Sequence, residues 1–162
     1  MHRSHQVAQN RFRRAAEWLW NQEGSAGQRA RGIAAGVFCG CFPFFGLQIV
    51  LSVAVAKLFR GNQLLAAAGT LVSNPLTYIP LYWFNYIIGC KLLNASSQIS
   101  NFNSINRSNL WMQGWEFSQR ILIGSCLVGA ILALIIGIFT FRVFKQKQKK
   151  EQTKSSLDRQ VE

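Results

Sequence analysis

Carboxylates and imidazoles, the commonest proton-moving side chains, are missing from the middle of this 162-residue chain: no Asp, Glu or His occurs between Glu23 and Glu116. Hydrolysis by acid–base catalysis needs a positioned donor and acceptor, and a proton relay through a membrane normally needs a buried carboxylate. A hydrolytic enzyme, an intramembrane protease or a carboxylate-driven pump is therefore not expected, and no residue is assigned a catalytic role. Cys39, Cys41, Cys90 and Cys126 all fall in apolar runs, where they read as small buried thiols. Cys39 and Cys41 form a C-G-C pair, but two ligands do not make a tetrahedral site, and His2 and His5 lie outside the apolar runs. Neither a metal nor any other cofactor is expected.

The polar chemistry that remains is neutral: Gln48, Asn62, Ser73, Asn74, Thr77, Tyr78 and Asn85. Gln48 and Asn74 stand out because each adjoins an interruption of an apolar run. With Ser73, Thr77 and Arg60 they form the candidate substrate-binding set. An amide offers a ligand both donors and an acceptor; it can equally join one membrane helix to another. Arg31, Lys57, Arg60, Lys91 and Arg120 mark the edges of the runs. They can snorkel to the interface, or converge on an anionic head group whose oxygens suit a guanidinium.

The elements that must carry these residues are long and uncharged. Residues 32–56, 61–90 and 121–141 each reach the roughly 20 residues needed to cross a bilayer. The expected class is an all-α integral membrane protein. Two of the runs are interrupted, by "FPFFG" at 42–46 and "VSNPLTYIP" at 72–80. Gly36, Gly40, Pro43 and Gly46 mark the first interruption, Pro75 and Pro80 the second. A proline inside a helix costs about 3 kcal/mol. Irregular backbone at membrane depth survives only where protein covers it or it lines a watery cavity. Paired Gly/Pro-broken segments therefore point to a transporter-like site; the alternative is a pair of kinked helices whose freed groups are met by Thr70, Ser73 and Thr77. A short internal similarity, Ala-Ala-Gly ahead of a proline and Lys-Leu at the close, links the two runs. The third run is unbroken and is bounded by Arg120 and Arg142.

The net charge of +12 divides evenly, +4 in each of residues 1–31, 32–120 and 121–162. Most of it flanks the apolar runs, which points to anionic lipid and the cytoplasmic face rather than to nucleic acid. If the first run is a re-entrant hairpin and the other two cross, both basic ends are cytoplasmic and the chain is multi-pass. Residues 1–31 are expected to form a basic segment containing an interfacial amphipathic helix at 7–22, 94–120 a polar loop, and 144–162 a basic disordered tail. Nothing resembles a cleavable signal peptide. So small a chain could need to dimerise to enclose a pathway.

"GVFCGCFPFFGLQIVLSVAVAKLFRGN", "GTLVSNPLTYIPLYWFNYIIG" and the final "LIGSCLVGAILALIIGIF" resemble the bacterial membrane family called domain of unknown function 2062. The resemblance covers about residues 28–143, and its specific part is the Ser-Asn-Pro-Leu-Thr block, Ser73–Thr77. The wording is most like that of cyanobacterial members. The resemblance implies a small protein of the bacterial inner membrane. Some relatives are joined to glycosyltransferase domains, which implies envelope glycan or lipid-carrier work; this sequence carries no such domain. The expected function, resting on the broken segments rather than on the resemblance, is to bind or translocate there a small or anionic substrate, free or lipid-linked, with a non-transporting scaffold or assembly factor for envelope-related proteins as the alternative.

Overall fold

The computed structural model describes residues 24–94 and 107–161, together with Arg14 and Gln22. The described segments are helical: α1 (Ala26–Gly40), α2 (Leu47–Leu58), α3 (Gln63–Gly69), a 3-10 turn (Thr70–Val72), α4 (Tyr78–Leu92) and α5 (Arg107–Val161). The interfacial helix proposed at 7–22 and the first half of the 94–120 loop lie outside the described residues, Arg14, Gln22 and Asn94 apart.

The start of α1 is written locally. Ser25 Oγ accepts from Gln28 N at 3.2 Å while Gln28 Oε1 accepts from Ser25 N at 2.9 Å, a capping box that satisfies two N-terminal donors. The helix thus begins at Ala26, so the boundary drawn at 31/32 from charge alone falls inside it. Along α1 the glycines recur every fourth residue, at Gly32, Gly36 and Gly40, and form one face. A Cβ at Gly32 would strike the Asn62 carbonyl, one at Gly36 the Ala66 carbonyl, and one at Gly40 would lie 2.8 Å from Val72 Cγ1. Bare backbone on this face lets α3 and the 3-10 turn lie directly against α1 and run parallel to it. Gly36 and Gly40 are therefore packing positions within α1 rather than parts of the interruption.

Between α1 and α2 the chain reverses. Gly46, at φ 81°, occupies the left-handed region that favours glycine and delivers the backbone into α2. That helix returns along α1 until Gly61 meets the Gly32 backbone and Asn62 N donates to Gln28 O at 2.9 Å. Its inward residues are Gln48, Ser52 and Ala56, whereas Leu47, Ile49, Val50 and Leu58 are exposed. Small and polar inside, large and apolar outside is the reverse of a helix on a water-soluble core.

The long helix α5 organises the rest. Its 55 residues measure about 82 Å. The stretch Gly114–Thr153 is long and apolar enough to cross a membrane, and only 28% of its most apolar eighteen residues are buried. Both α1 and α4 lie antiparallel to it, one after the other. Gln148, Phe144, Gly137 and Gly129 meet α1 from its beginning to its end. Ser125, Gly124, Arg120 and Phe117 then meet α4. Close approach again decides the geometry, because a Cβ at Gly124 would overlap the Asn85 carbonyl and one at Gly89 the Arg120 carbonyl.

Residues 144–161 continue α5 rather than forming the unstructured tail that composition suggested. The segment is rich in Lys and Gln and has neither Gly nor Pro, so nothing in it stops a helix once the preceding apolar stretch has nucleated one. A Lys147–Glu151 pair at 3.7 Å bridges one turn. Gln148 ties the segment back to α1 by accepting from Ala26 N and donating to Gly24 O, both at 3.3 Å.

Candidate functional site

The two interruptions meet. Ser73 Oγ, in the second, donates to Gln48 Oε1, just after the first, at 3.2 Å across a separation of 25 residues, and both side chains are buried. Tyr82 gives its hydroxyl proton to the Phe42 carbonyl at 3.2 Å. Below them Asn85 Nδ2 donates to both the Cys41 carbonyl and Ser125 Oγ, each at 2.9 Å. Asn85, Ser125 and Cys41 are fully buried. Three segments that are distant in sequence are thus pinned at one joint. Backbone carbonyls freed where α1 ends find side-chain donors there, as buried polar groups require.

Pro75 fits its place for a local reason. Asn74 Oδ1 accepts from Leu76 N at 2.9 Å and Thr77 N at 3.1 Å, while Thr77 Oγ1 accepts from Asn74 N at 2.9 Å and donates to Val72 O at 2.7 Å. This is a reciprocal cap ahead of α4, with proline at the position after the cap, where a missing N–H costs nothing. Pro80 lies within the first turn of α4, where it is likewise tolerated and breaks no helix. The sharp departures from helix are Cys41–Gly46 and Ser73–Thr77.

Of the five candidate binding residues, Gln48, Ser73, Asn74 and Thr77 gather at the joint. Arg60 does not: it ends the turn after α2, at φ 51°, and its carbonyl accepts from Arg31 Nη2 at 3.2 Å. Arg60 follows Gln48 by twelve positions along α2 and its exit turn, a separation of about 18 Å. Sequence reasoning gave no role to Ser125 or Tyr82 and no special one to Asn85. A lone serine in the apolar run 121–141 was the available signal for Ser125. Asn85 Oδ1 is buried with no hydrogen-bond partner, so the joint retains one unsatisfied acceptor.

Exposed apolar side chains surround the joint. Phe45 packs edge-on against Tyr78 at 4.9 Å and Tyr82 at 6.0 Å, and Leu76, 88% exposed, and Ile79 point outward beside them. The described cysteines are all free, with Cys39, Cys41 and Cys90 buried. One turn further along α4 from Tyr82, Arg120 donates to the Tyr86 hydroxyl at 3.3 Å and pairs with Glu116 at 3.2 Å.

The family model described as "uncharacterized protein conserved in bacteria (DUF2062)" matches residues 9–153. The chain belongs to this family. The match spans both interruptions, the joint and nearly all of α5, so the DUF2062 region is the whole helical assembly described above. No curated protein and no solved structure matches the chain. Its bacterial family and the apolar stretch of α5 associate it with a membrane.

Proposed function

We propose that this DUF2062 protein is a multi-pass protein of the bacterial cytoplasmic membrane that binds, and passes across, a small or anionic substrate, free or lipid-linked, at the joint of its two broken segments. The observation that carries this is the Ser73–Gln48 contact, which brings two interruptions from separate apolar runs to one point. Paired broken helices meeting within a membrane are a recurrent architecture for substrate sites.

The topology follows from distances along α5. Arg31, Arg60, Arg142 and Lys145 cluster at one end of the bundle, and Arg120 and Lys91 at the other. Arg120 and Arg142 are about 33 Å apart on the helix, which matches a hydrocarbon thickness of about 30 Å. The more basic end is cytoplasmic by the positive-inside rule. On this reading α1 and α2 form a re-entrant hairpin, α3 and α4 together cross once, α5 crosses back, and both termini are cytoplasmic. Ser125 is about 8 Å from the Arg120 end and about 25 Å from the Arg142 end, so the joint belongs to the outer part of the membrane.

A second reading, a scaffold or assembly factor, is favoured by the mutual satisfaction of Gln48, Ser73, Asn74 and Thr77, which leaves them structural. Single cysteines at Phe44, Leu76, Ser104 and Lys147 in a Cys-free background, probed with a membrane-impermeant thiol reagent, separate the two. Substrate passage requires Phe44 and Leu76 positions that react from the outside, with Ser104 reactive in intact cells and Lys147 only after permeabilisation. Silence at 44 and 76 under both conditions rejects an aqueous site and leaves the scaffold. Reaction at 147 in intact cells rejects the topology.

A further inference from the structure

Away from the joint, a groove of about 550 Å³ runs between α1 and the second half of α5. Its floor is made of small residues, Ala30 and Ala34 on α1 against Ala133 and Gly137 on α5, and its wall of Leu134, Ile138 and Phe141. The floor stays open because the helices touch only through small groups: a Cβ at Gly137 would lie 3.2 Å from Ala34 Cβ. At one end the groove is closed by Arg31, Arg142 and Lys145, and none of its lining residues is acidic. Arg31 is held at the rim by its hydrogen bond to the Arg60 carbonyl, and Lys145 Nζ lies 5.9 Å from the Phe141 ring centroid. Three cations gathered without a lining carboxylate repel one another unless an anion lies between them.

We infer that this groove binds one anionic phospholipid, its phosphate held by Arg31, Arg142 and Lys145 and one acyl chain laid along Ala30, Ala34 and Gly137 toward Leu134. From Lys145 to Ala133 is twelve residues, about 18 Å, close to the depth of one leaflet, half of about 30 Å. A guanidinium pairs two phosphate oxygens at once, and the apolar floor below suits a hydrocarbon chain, which a soluble anion lacks. A second copy of the chain docked here would set its own cations against these three, so charge complementarity selects a lipid. The inference rests on the membrane insertion proposed above but not on a substrate site at the joint.

The test is lipid retention by native mass spectrometry of the full-length protein, taken from bilayers containing phosphatidylcholine and phosphatidylglycerol in equal amounts. The wild type is expected to keep one phosphatidylglycerol in preference to phosphatidylcholine. Arg142→Gln and Lys145→Gln are each expected to lower that preference about fivefold, and soluble glycerol phosphate to compete poorly. Leu134→Trp, at a 65% exposed position that does not disturb the helix contacts, should block the chain and lower retention with all three cations intact. Lys149→Gln with Lys150→Gln removes two charges outside the groove, one more than either groove variant, and should still leave the preference unchanged. Equal retention of the two lipids by an inserted wild type overturns the groove while leaving membrane insertion standing. So does an equal loss in the Lys149/Lys150 variant, which means diffuse attraction. A wild-type chain that alkaline carbonate strips from the membrane overturns both.

Discussion

Replacing Asn85 by alanine should destabilise the assembly more than any other single truncation at the joint. Two hydrogen bonds of 2.9 Å, to the Cys41 carbonyl and to Ser125 Oγ, are lost together. Ser125 recovers, because its hydroxyl can turn to a carbonyl one turn back on α5, as Thr140 does to the Ile136 carbonyl at 2.7 Å. The Cys41 carbonyl has no comparable alternative. Leaving a buried acceptor dry costs about 1–3 kcal/mol, whereas interhelical hydrogen bonds in membrane proteins average nearer 0.6 kcal/mol. Loss of Asn85 Oδ1, itself buried without a partner, offsets part of the penalty. The small cavity left in a fully buried site adds to it. The balance is about 2 kcal/mol, with Ser125→Ala below about 0.5 kcal/mol and the double variant close to Asn85→Ala alone. Reversible unfolding by sodium dodecyl sulfate in mixed micelles reads these differences. A cost for Asn85→Ala below about 0.5 kcal/mol, or one for Ser125→Ala that equals it, refutes the idea that Asn85 locks α1, α4 and α5 through the Cys41 carbonyl.

Glycine substitutions should separate close packing from mere composition: Gly36→Val should remove the protein from the membrane fraction, since a side chain there enters the Ala66 carbonyl, while Gly114→Ala, with nothing within 4 Å, should leave its level unchanged. Asn74→Ala should lower the unfolding midpoint by an amount equivalent to about 1 kcal/mol, and Asn74→Asp or Asn74→Ser should restore most of it, because both keep a capping oxygen; loss of stability in all three rules out the capping role. Gln148→Ala should speed protease cleavage after Lys149 or Lys150 without altering the midpoint, since only the tie to Gly24 and Ala26 is cut; unchanged cleavage means the tail is held by other contacts.

Several features could be read from local order alone. The absence of carboxylates between Glu23 and Glu116, the apolar run closed by Arg120 and Arg142, and the resemblance carried by Ser73–Thr77 need only neighbouring residues. So do the Ser25–Gln28 capping box and the Asn74–Thr77 cap, because each joins residues three positions apart. Residues 144–161 show where local reading misled, since a charged, pattern-free segment looks unstructured until a long helix feeds into it and Gln148 finds the start of α1.

Tertiary structure alone decided which polar residues share a site. Gln48 and Ser73 look equivalent to Arg60 in sequence, yet the reversal at Gly46 carries Arg60 to the far end of α2 and leaves the other two in contact. Likewise the glycine spacing of α1 announces a packing face but not its partner. The partner is set by where the chain returns, and that depends on contacts 30 or more residues apart, Gly32 with Asn62 and Gly36 with Ala66. Helix propensity and hydropathy act over a few turns and so are legible from one segment; the pairing of faces is a property of all the segments at once.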